Sequence, residues 1–492
     1  MKRFIVAIDQ GTTSSRAILF SLSGKSIYSS QKEFKQYFPK DGWVEHNPNE
    51  IWNTTKKVLI DVIKKSKRLK GKILTIGITN QRETTILWNK KTGIPVYNAI
   101  VWQDRRTAEF CKKFKTNKKE KFINRRTGLL IDPYFSATKI KWILDNVVIA
   151  KRLLRNNNLL FGTIDTFLLW KLTKGKIHAT DATNASRTML FNISRNKWDK
   201  DILKILNIPK NILPTVKDSS DDFGVTDKSI TGTSYPINGV VGDQQAATIG
   251  QSCFEKGSVK STYGTGAFVL MNTGNKKIYS KNKLLTTICY RLNGKITYAL
   301  EGSIFIAGAG VQWLRDKIKL INNATETEKI AKSLKSNNGI YLVPAFTGLG
   351  APYWNPNSRG IICGLTRDTS KKEIVRATLE SVAYQSYDLF NAMKNDGLRP
   401  NLVKVDGGMV KNNWFSQFLS DIIDLEVIRP KANEATALGA ALMAGLKIGV
   451  FKSLKDFSIN WKIDKKFYPK INKVNRSKLL KGWKQAITKT LI

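Results

Sequence analysis

The side chains best suited to chemistry in this chain are carboxylates and hydroxyls, because histidine is nearly absent. The 492 residues include two histidines, His46 and His178, too few for a histidine-rich metal site and little material for histidine acid–base chemistry. The four cysteines are far apart and form no C-x-x-C pair, which argues against a zinc or redox motif. We therefore expect a carboxylate to carry out any proton transfer.

The first candidate site is the run Asp9-Gln10-Gly11-Thr12-Thr13-Ser14, in which a strand-end aspartate precedes a glycine turn lined with hydroxyls. Backbone N–H groups and hydroxyls in such a turn can hold phosphate oxygens. An ordinary hairpin turn has a similar composition, so the run alone leaves both interpretations open. The chain has no G-x-G-x-x-G motif, and Gly24-Lys25-Ser26 is not a P-loop, because Leu19 stands where the first glycine is required.

A second turn of the same kind, Gly264-Thr265-Gly266, makes phosphate binding the favoured interpretation over an ordinary hairpin turn. It lies between two apolar segments, residues 259–262 and 267–271. Phosphoryl transfer requires the nucleotide phosphates to be held from both sides of a closing cleft, and a pair of such hairpins supplies this. Two matching turns therefore favour phosphate binding.

The elements around these turns predict an α/β fold. Apolar runs at residues 4–8 and 16–20 flank the first turn and predict a β-hairpin. Asn47, Pro48 and Glu50 predict a helix start, as N-cap, N1 proline and N3 carboxylate. Residues 73–78 predict a buried strand, and its polar continuation to Glu83 would emerge where parallel strands present ligand-binding groups.

The second half repeats this plan. After the second hairpin, Ser370 and Glu373 form a predicted capping box, and a strand at residues 402–405 runs into Asp406-Gly407-Gly408. Another predicted strand ends at Asp243. We therefore predict two similar domains, residues 1–250 and residues 251–492.

The formal charge of +44 raises the question of a nucleic-acid or membrane partner. Lysine is abundant almost everywhere, and its densest runs are short, so we expect no specific nucleic-acid binding. No apolar run approaches the ~20 residues that span a bilayer, and the N-terminus has no apolar signal region. We expect a cytoplasmic protein without membrane insertion.

Longer segments resemble the FGGY carbohydrate kinases along nearly the whole chain. The segments that carry the resemblance are Trp43-Val44-Glu45-His46-Asn47-Pro48, residues 80–83, Val101-Trp102-Gln103-Asp104-Arg105-Arg106, residues 134–146 with Ser136, Lys139 and Trp142, and residues 240–245. The resemblance implies two actin-like (ribonuclease H-like) α/β domains flanking a catalytic cleft, the first binding a polyol and the second a nucleotide. The implied reaction is ATP-dependent phosphorylation of glycerol to sn-glycerol 3-phosphate, in a homodimer or homotetramer.

The resemblance also implies roles for individual residues. The implied glycerol-binding residues are Arg82, Glu83, Tyr134, Asp243 and Gln244, with Trp102 and Phe268 as the apolar wall. The implied nucleotide-binding residues are Thr12, Thr13, Ser14, Arg16, Thr265, Gly308, Gln312, Gly408 and Asn412. Asp9 would orient Mg²⁺, and Asp243 would act as general base or would only bind the hydroxyl. A charged donor, two carboxylates and a phenol can satisfy three hydroxyls, each of which donates and accepts.

One position departs from the family pattern. Gly232-Thr233-Ser234 stands where regulated relatives have Gly-Thr-Arg, whose arginine helps to bind fructose 1,6-bisphosphate. Because serine cannot provide a bidentate cation, we expect inhibition by this sugar bisphosphate to be weak or absent. Three alternatives to the main hypothesis remain: a pentulose kinase of the same family, an actin-like chaperone or filament protein, and an inactive relative.

Overall fold

The computed structural model describes residues 1–355, 357–431, 434–458 and 461–491. The chain divides into two compact units, each built of several chain segments. The first unit comprises Met1–Ser252, Thr286–Tyr298 and Glu434–Asn460, and the second comprises Cys253–Leu285, Ala299–Asn433 and Trp461–Ile492. Both units are mixed α/β structures.

The strands of the first unit are β1 (Lys2–Gln10), β2 (Ser14–Ser21), β3 (Ser26–Glu33), β4 (Glu45–His46), β5 (Gly71–Asn80), β6 (Ile86–Asn89), β7 (Ala99–Ile100), β8 (Leu159–Gly162), β9 (Ala179–Asp181), β10 (Phe191–Asn192), β11 (Lys197–Trp198), β12 (Thr215–Lys217) and β13 (Ile237–Gly242). Five of them form the main sheet, in the order β13-β5-β1-β2-β3. Strands β13, β5 and β1 run parallel, whereas β1, β2 and β3 are joined antiparallel. The predicted first hairpin is thus β1–β2.

The helices of the first unit are α1 (Pro48–Arg68), α2 (Ala108–Phe114), α3 (Asn117–Thr127), α4 (Ser136–Asn146), α5 (Val148–Arg155), α6 (Ile164–Leu172), α7 (Ala182–Ala185), α8 (Lys200–Leu206), α9 (Lys228–Thr231) and α10 (Asp243–Gly250), with two more from the C-terminal part described below. Helix α1 begins as predicted, because the Asn47 side chain accepts a hydrogen bond from the backbone N–H of Asn49 and Pro48 is the first helical residue. Its buried residues, among them Ile51, Val58 and Val62, belong to the core formed with the main sheet.

The second unit repeats the hairpin-plus-parallel-strand plan. Its elements are β14 (Ser258–Tyr263), β15 (Ala267–Gly274), β16 (Leu285–Leu292), β17 (Lys295–Ile304), α11 (Gly308–Asp316), α12 (Glu326–Ser333), β18 (Tyr341–Val343), β19 (Ile361–Cys363), α13 (Lys371–Asn395), β20 (Leu402–Asp406), α14 (Asn413–Ile423), β21 (Glu426–Pro430), β22 (Ile463–Phe467) and α17 (Lys473–Thr490); residues 286–298 count with the first unit. The sheet order is β16-β17-β15-β14-β20-β21-β22, with β14, β20 and β21 parallel. The predicted capping box of Ser370 and Glu373 begins α13.

The helix α15 (Ala435–Lys447) belongs to the first unit, followed there by α16 (Leu454–Ser458). This differs from the expected second domain of residues 251–492. The physical reason is close packing between small residues: a Cβ added at Gly77 of β5 would lie 2.2 Å from the Ala440 carbonyl oxygen, and one added at Gly439 would lie 1.9 Å from the Ala246 carbonyl oxygen. Only glycine permits this approach of helix backbone to sheet and to α10.

Membrane-spanning helices are not found in the part of the chain that the structure describes. No described helix combines the length and the apolar character that crossing a bilayer requires. The longest, α13, has 25 residues but includes charged residues such as Glu380 and Arg376 in its buried face.

Candidate active site

Three parallel strands of the first unit end at the same edge of the sheet and carry the predicted polyol-binding residues. Gln10 at the end of β1 lies beside Asn80 at the end of β5, and Asn80 lies beside Gly242 at the end of β13. Asp243 directly follows the end of β13, and Arg82 lies two residues after the end of β5. Because carboxyl ends of parallel strands present their loops at one edge, residues far apart in the chain converge there.

Arg82 is the centre of this edge. Its Nε lies 3.2 Å from Asp243 Oδ1 and 3.9 Å from Glu83 Oε1, and its guanidinium donates to Gln245 Oε1 at 3.2 Å. The Arg82 side chain is 2% exposed, whereas that of Asp243 is 29% exposed and can meet a solute. The arginine is thus held rigidly by carboxylates on two elements.

Glu83 is held from two directions. Its Oε1 accepts a hydrogen bond from Arg187 Nε at 2.6 Å, and both side chains are almost fully buried. Its backbone φ of 61° lies in the left-handed region, which is costly for a residue with a Cβ. The carbonyl of Glu83 accepts from the hydroxyl of Ser136 at 3.0 Å, which helps to fix this conformation.

Trp102 and Tyr134 form an aromatic wall in the same unit. Their rings meet edge to face with centroids 5.6 Å apart, and Trp102 Nε1 donates to Thr12 Oγ1 at 3.1 Å. The fully buried ammonium of Lys139 donates to the carbonyls of Pro133 and Tyr134 at 2.6 and 2.7 Å. Burial lowers the pKa of Lys139 to about 8. The conformation around Tyr134 is therefore fixed by a buried cation, which the predicted list of site residues omitted.

The first glycine turn carries its own charged cluster. Arg16 on β2 pairs with Asp9 Oδ2 at 2.7 Å and with Glu434 Oε2 at 2.6 Å. Burial opposes the charge of Arg16, but Asp9 and Glu434 together raise its pKa. Burial raises the pKa of Glu434, against the effect of Arg16. Thr12, Thr13 and Ser14 lie at least partly exposed in the turn beside this cluster.

Within the described residues, no group of three or more histidine, cysteine or acidic side chains could hold a metal ion. A magnesium site would therefore depend on few protein ligands. The Asp9 carboxylate is 13% exposed at the glycine turn, and its oxygens are ligands that suit Mg²⁺. One carboxylate with water and phosphate oxygens fits this ion, which rarely uses an all-protein cage.

The second unit contains a cavity of about 480 Å³. It is lined by all five predicted nucleotide-binding residues of that unit: Thr265, Gly308, Gln312, Gly408 and Asn412. Helix α11 begins at this cavity, and Gly308 N–H donates to the Gly264 carbonyl at 2.8 Å. A Cβ at Gly308 would lie 2.6 Å from that oxygen, so glycine is needed for the turn to reach the helix.

The structure also identifies residues that sequence reasoning missed. Arg187, Gln245 and Glu434 contact Arg82, Glu83 or Arg16, and Arg315 and Thr327 line the cavity of the second unit.

Gln244 and Phe268, the two other residues predicted to contact the polyol, lie on different elements. Gln244 is the second residue of α10 and is largely buried. Phe268 lies on β15 of the second unit, opposite Thr262. Their contacts with a polyol remain predictions.

Ser234 lies at another cavity of the first unit, of about 870 Å³. Arg3, Lys67 and Lys72 line the same cavity. The Ser234 side chain carries no charge, so the positively charged side chains at this cavity are those of the other three residues.

Known proteins resemble this chain along nearly its whole length. The N-terminal domain of the FGGY family of carbohydrate kinases matches residues 4–250, and the C-terminal domain matches residues 259–448. Glycerol kinase of Alteromonas mediterranea is 56% identical over 490 residues, covering 99% of each chain. Glycerol kinase of Clostridium botulinum is 55% identical and covers 100% of this chain and 99% of its own.

A solved glycerol kinase structure has the same fold as this chain. The crystal structure of Plasmodium falciparum glycerol kinase with ADP is 40% identical, with a TM-score of 0.94, and the match covers 100% of this chain and 99% of that one. The agreement extends over both units rather than one motif, and it bears out the predicted two-domain α/β fold. The chain belongs to the FGGY family of carbohydrate kinases and, within it, to the glycerol kinases.

Proposed function

We propose that this chain transfers the γ-phosphoryl group of ATP to a terminal hydroxyl of glycerol, giving sn-glycerol 3-phosphate. The observation that carries the proposal is the convergence of Arg82, Glu83 and Asp243 at one edge of the first unit's sheet. Relatives that match this chain over nearly its full length, at 54–56% identity, are named glycerol kinases, which supports glycerol as the substrate.

In this proposal the polyol is held by groups that match its hydroxyls. Arg82 donates, while the carboxylates of Glu83 and Asp243 accept, and the phenol of Tyr134 can do both. Trp102 and Tyr134 would face the C–H surface of the molecule, with Phe268 and Gln244 as further contacts. A larger sugar would leave some of these groups unpaired in a site of this kind, which disfavours a pentulose substrate.

Asp243 acts as the general base. Its carboxylate accepts from the backbone N–H of Gln244 and lies 3.2 Å from Arg82, and its side chain is the most exposed of the site's charged groups. A base within hydrogen-bond reach of the attacking hydroxyl contributes about 10²- to 10⁴-fold to a reaction of this type. In-line transfer then needs little more than positioning and charge stabilisation.

Each glycine turn binds phosphate oxygens in its own unit. Thr12, Thr13 and Ser14 of the first unit, and Thr265 of the second, supply hydroxyls and backbone N–H groups, and Arg16 offsets developing negative charge. Mg²⁺ would be oriented by Asp9 and would neutralise phosphate charge when bound. The cavity at Gly308, Gln312, Gly408 and Asn412 takes the rest of the nucleotide, with the N-terminus of α11 favouring anionic groups there.

The test is ADP release by purified protein with glycerol, dihydroxyacetone or xylulose as acceptor. We expect turnover with glycerol far above that with xylulose. Asp243→Asn should lower kcat about 10²-fold or more, with glycerol affinity by calorimetry changed much less. Asp145→Asn, at an exposed carboxylate of the same unit, is the matched control. Near wild-type turnover of Asp243→Asn would contradict the assignment of the base.

Two further expectations belong to this proposal. The first unit binds the polyol and the second binds most of the nucleotide, which calorimetry with variants of either unit can separate. The oligomer is a homodimer or homotetramer, and sedimentation equilibrium with and without ligands measures it. A monomer active at assay concentration would contradict the second expectation.

A further inference from the structure

A fully buried carboxylate, Asp181, lies behind the edge that carries Arg82 and Asp243. It ends β9 and caps the short helix α7, accepting from the backbone N–H groups of Thr183 and Asn184 at 3.0 and 2.9 Å. The hydroxyl of Ser219 donates to its Oδ2 at 2.7 Å. None of these side chains is measurably exposed.

One chain of hydrogen bonds leads from Asp181 to the proposed base. The hydroxyl of Thr183 donates to Asp181 Oδ1 at 2.8 Å. The same hydroxyl oxygen accepts from the backbone N–H of Gly242 at 2.9 Å, and Gly242 immediately precedes Asp243. A hydroxyl has a single proton, so giving it to the carboxylate leaves the lone pairs for Gly242.

A second chain leads to the strand that carries Arg82. The amide nitrogen of Asn184 donates to Asp181 Oδ1 at 3.0 Å, and Asn184 Oδ1 accepts from Asn80 Nδ2, also at 3.0 Å. Asn80 ends β5 two residues before Arg82. Because an ionised carboxylate can only accept, the amide group of Asn184 must face it with its nitrogen, and its oxygen is left for Asn80.

We propose that Asp181 is a positioning residue for the polyol site, one that orients Thr183 and Asn184 and through them the ends of β13 and β5. This inference rests on the proposed function, since it concerns the alignment of Arg82 with Asp243. It assigns Asp181 no contact with substrate. Both strand ends are hydrogen-bonded through these chains to one carboxylate, in addition to the direct pairing of β13 with β5. Misalignment by about 1 Å is enough to cost about 10²-fold in such a reaction.

The test compares four variants of the full chain. Thr183→Val removes the hydroxyl and keeps the shape, whereas Thr183→Ser restores it. Asp181→Asn removes the charge. Ser219→Ala removes a hydrogen bond to the same carboxylate without touching either chain. If Asp181→Asn fails to fold, the comparison of Thr183→Val with Thr183→Ser still tests the proposal.

Hydrogen exchange of peptides covering residues 240–244 gives the first measurement and needs no substrate. We expect the Gly242 amide to exchange at least about tenfold faster in Thr183→Val and Asp181→Asn, since a lost bond worth about 1.4 kcal/mol corresponds to that factor. Thr183→Ser and Ser219→Ala should retain protection. Unchanged exchange in Thr183→Val would overturn the proposal whether or not the protein acts on glycerol.

Kinetics give the second measurement. We expect kcat/KM for glycerol to fall about ten- to hundredfold in Thr183→Val and Asp181→Asn, while the affinity for ADP by calorimetry stays within about twofold. A purely structural defect would weaken both. Equal loss of both, or unchanged kcat/KM for glycerol, overturns the positioning role. A wild-type protein without glycerol turnover would instead refute the proposed function, and the exchange measurement would still decide on the network.

Discussion

Replacing Asp165 by asparagine tests how a fully buried carboxyl of the first unit responds to pH. Its oxygens accept from the hydroxyls of Thr163 at 2.5 Å and Thr180 at 2.6 Å, and burial raises its pKa from 3.8 to about 7. The folded protein thus favours the protonated form of Asp165. The stability that this carboxyl contributes is complete below its pKa in the unfolded chain, and it is lost as the pH rises to and through its pKa in the folded protein. The interval between the two pKa values corresponds to about 4 kcal/mol, at about 1.4 kcal/mol per pKa unit.

Most of that loss falls in a range that is easy to measure. Between about pH 5 and about pH 8 the wild type should lose about 3 kcal/mol through this group, because the folded carboxyl ionises only near 7. Asp165→Asn carries a neutral side chain of the same shape at every pH. The difference in stability between wild type and variant should therefore change by about 3 kcal/mol over this range, in favour of the variant at high pH.

Hydrogen exchange of peptides from α6 is the assay, since it reports unfolding of this unit without assuming that both units unfold together. Asp145→Asn is the control, because it makes the same substitution at a carboxyl that is 53% exposed. A wild-type-minus-variant difference that stays constant within about 1 kcal/mol from about pH 5 to about pH 8 would refute the reasoning.

Three further predictions concern the nucleotide side and regulation. Gly407 has a φ of 100°, and an added Cβ would lie 2.3 Å from a backbone carbonyl oxygen of β14, so Gly407→Ala should lose about 2 kcal/mol or more in urea unfolding. Gly408→Ala, where an added Cβ meets nothing within 4 Å, should stay close to wild-type stability. Glu434→Gln weakens the hold on Arg16, and KM for ATP should rise about fivefold with KM for glycerol unchanged, for about 1 kcal/mol of lost pairing. Titration with fructose 1,6-bisphosphate should give weak or no inhibition, because Ser234 provides no bidentate cation; inhibition at low concentration would contradict this.

The hairpins and helix starts could be predicted because their causes are local in sequence. Asn47 and Pro48 mark the start of α1, and Ser370 with Glu373 marks that of α13, through bonds between near neighbours. The two glycine turns also follow from short patterns, and the strand predicted to end at Asp243 ends one residue earlier, at Gly242. Such features depend on the hydrogen bonds and backbone conformation of a few neighbouring residues, which can be identified directly from the sequence.

The remaining features depend on contacts between distant segments. The left-handed backbone of Glu83 contradicts local preference and is held by Arg187 and Ser136, which lie 104 and 53 residues away. The membership of α15 in the first unit depends on glycines such as Gly77 meeting the Ala440 carbonyl. Neither periodicity nor capping patterns carry this information, because both describe one element at a time.

Two arginines stand beside two carboxylates at the sheet edge that we propose for polyol binding. Arg82 and Arg187 carry two positive charges, and Glu83 and Asp243 carry two negative charges, so the resting group is neutral and suits an uncharged polyol. In the proposed reaction Asp243 would take the proton of the attacking hydroxyl, so this group would lose one negative charge as a negatively charged phosphoryl group is transferred to the same oxygen. That protonation would weaken the ion pair between Arg82 and Asp243, and Arg82 would then favour the transition state.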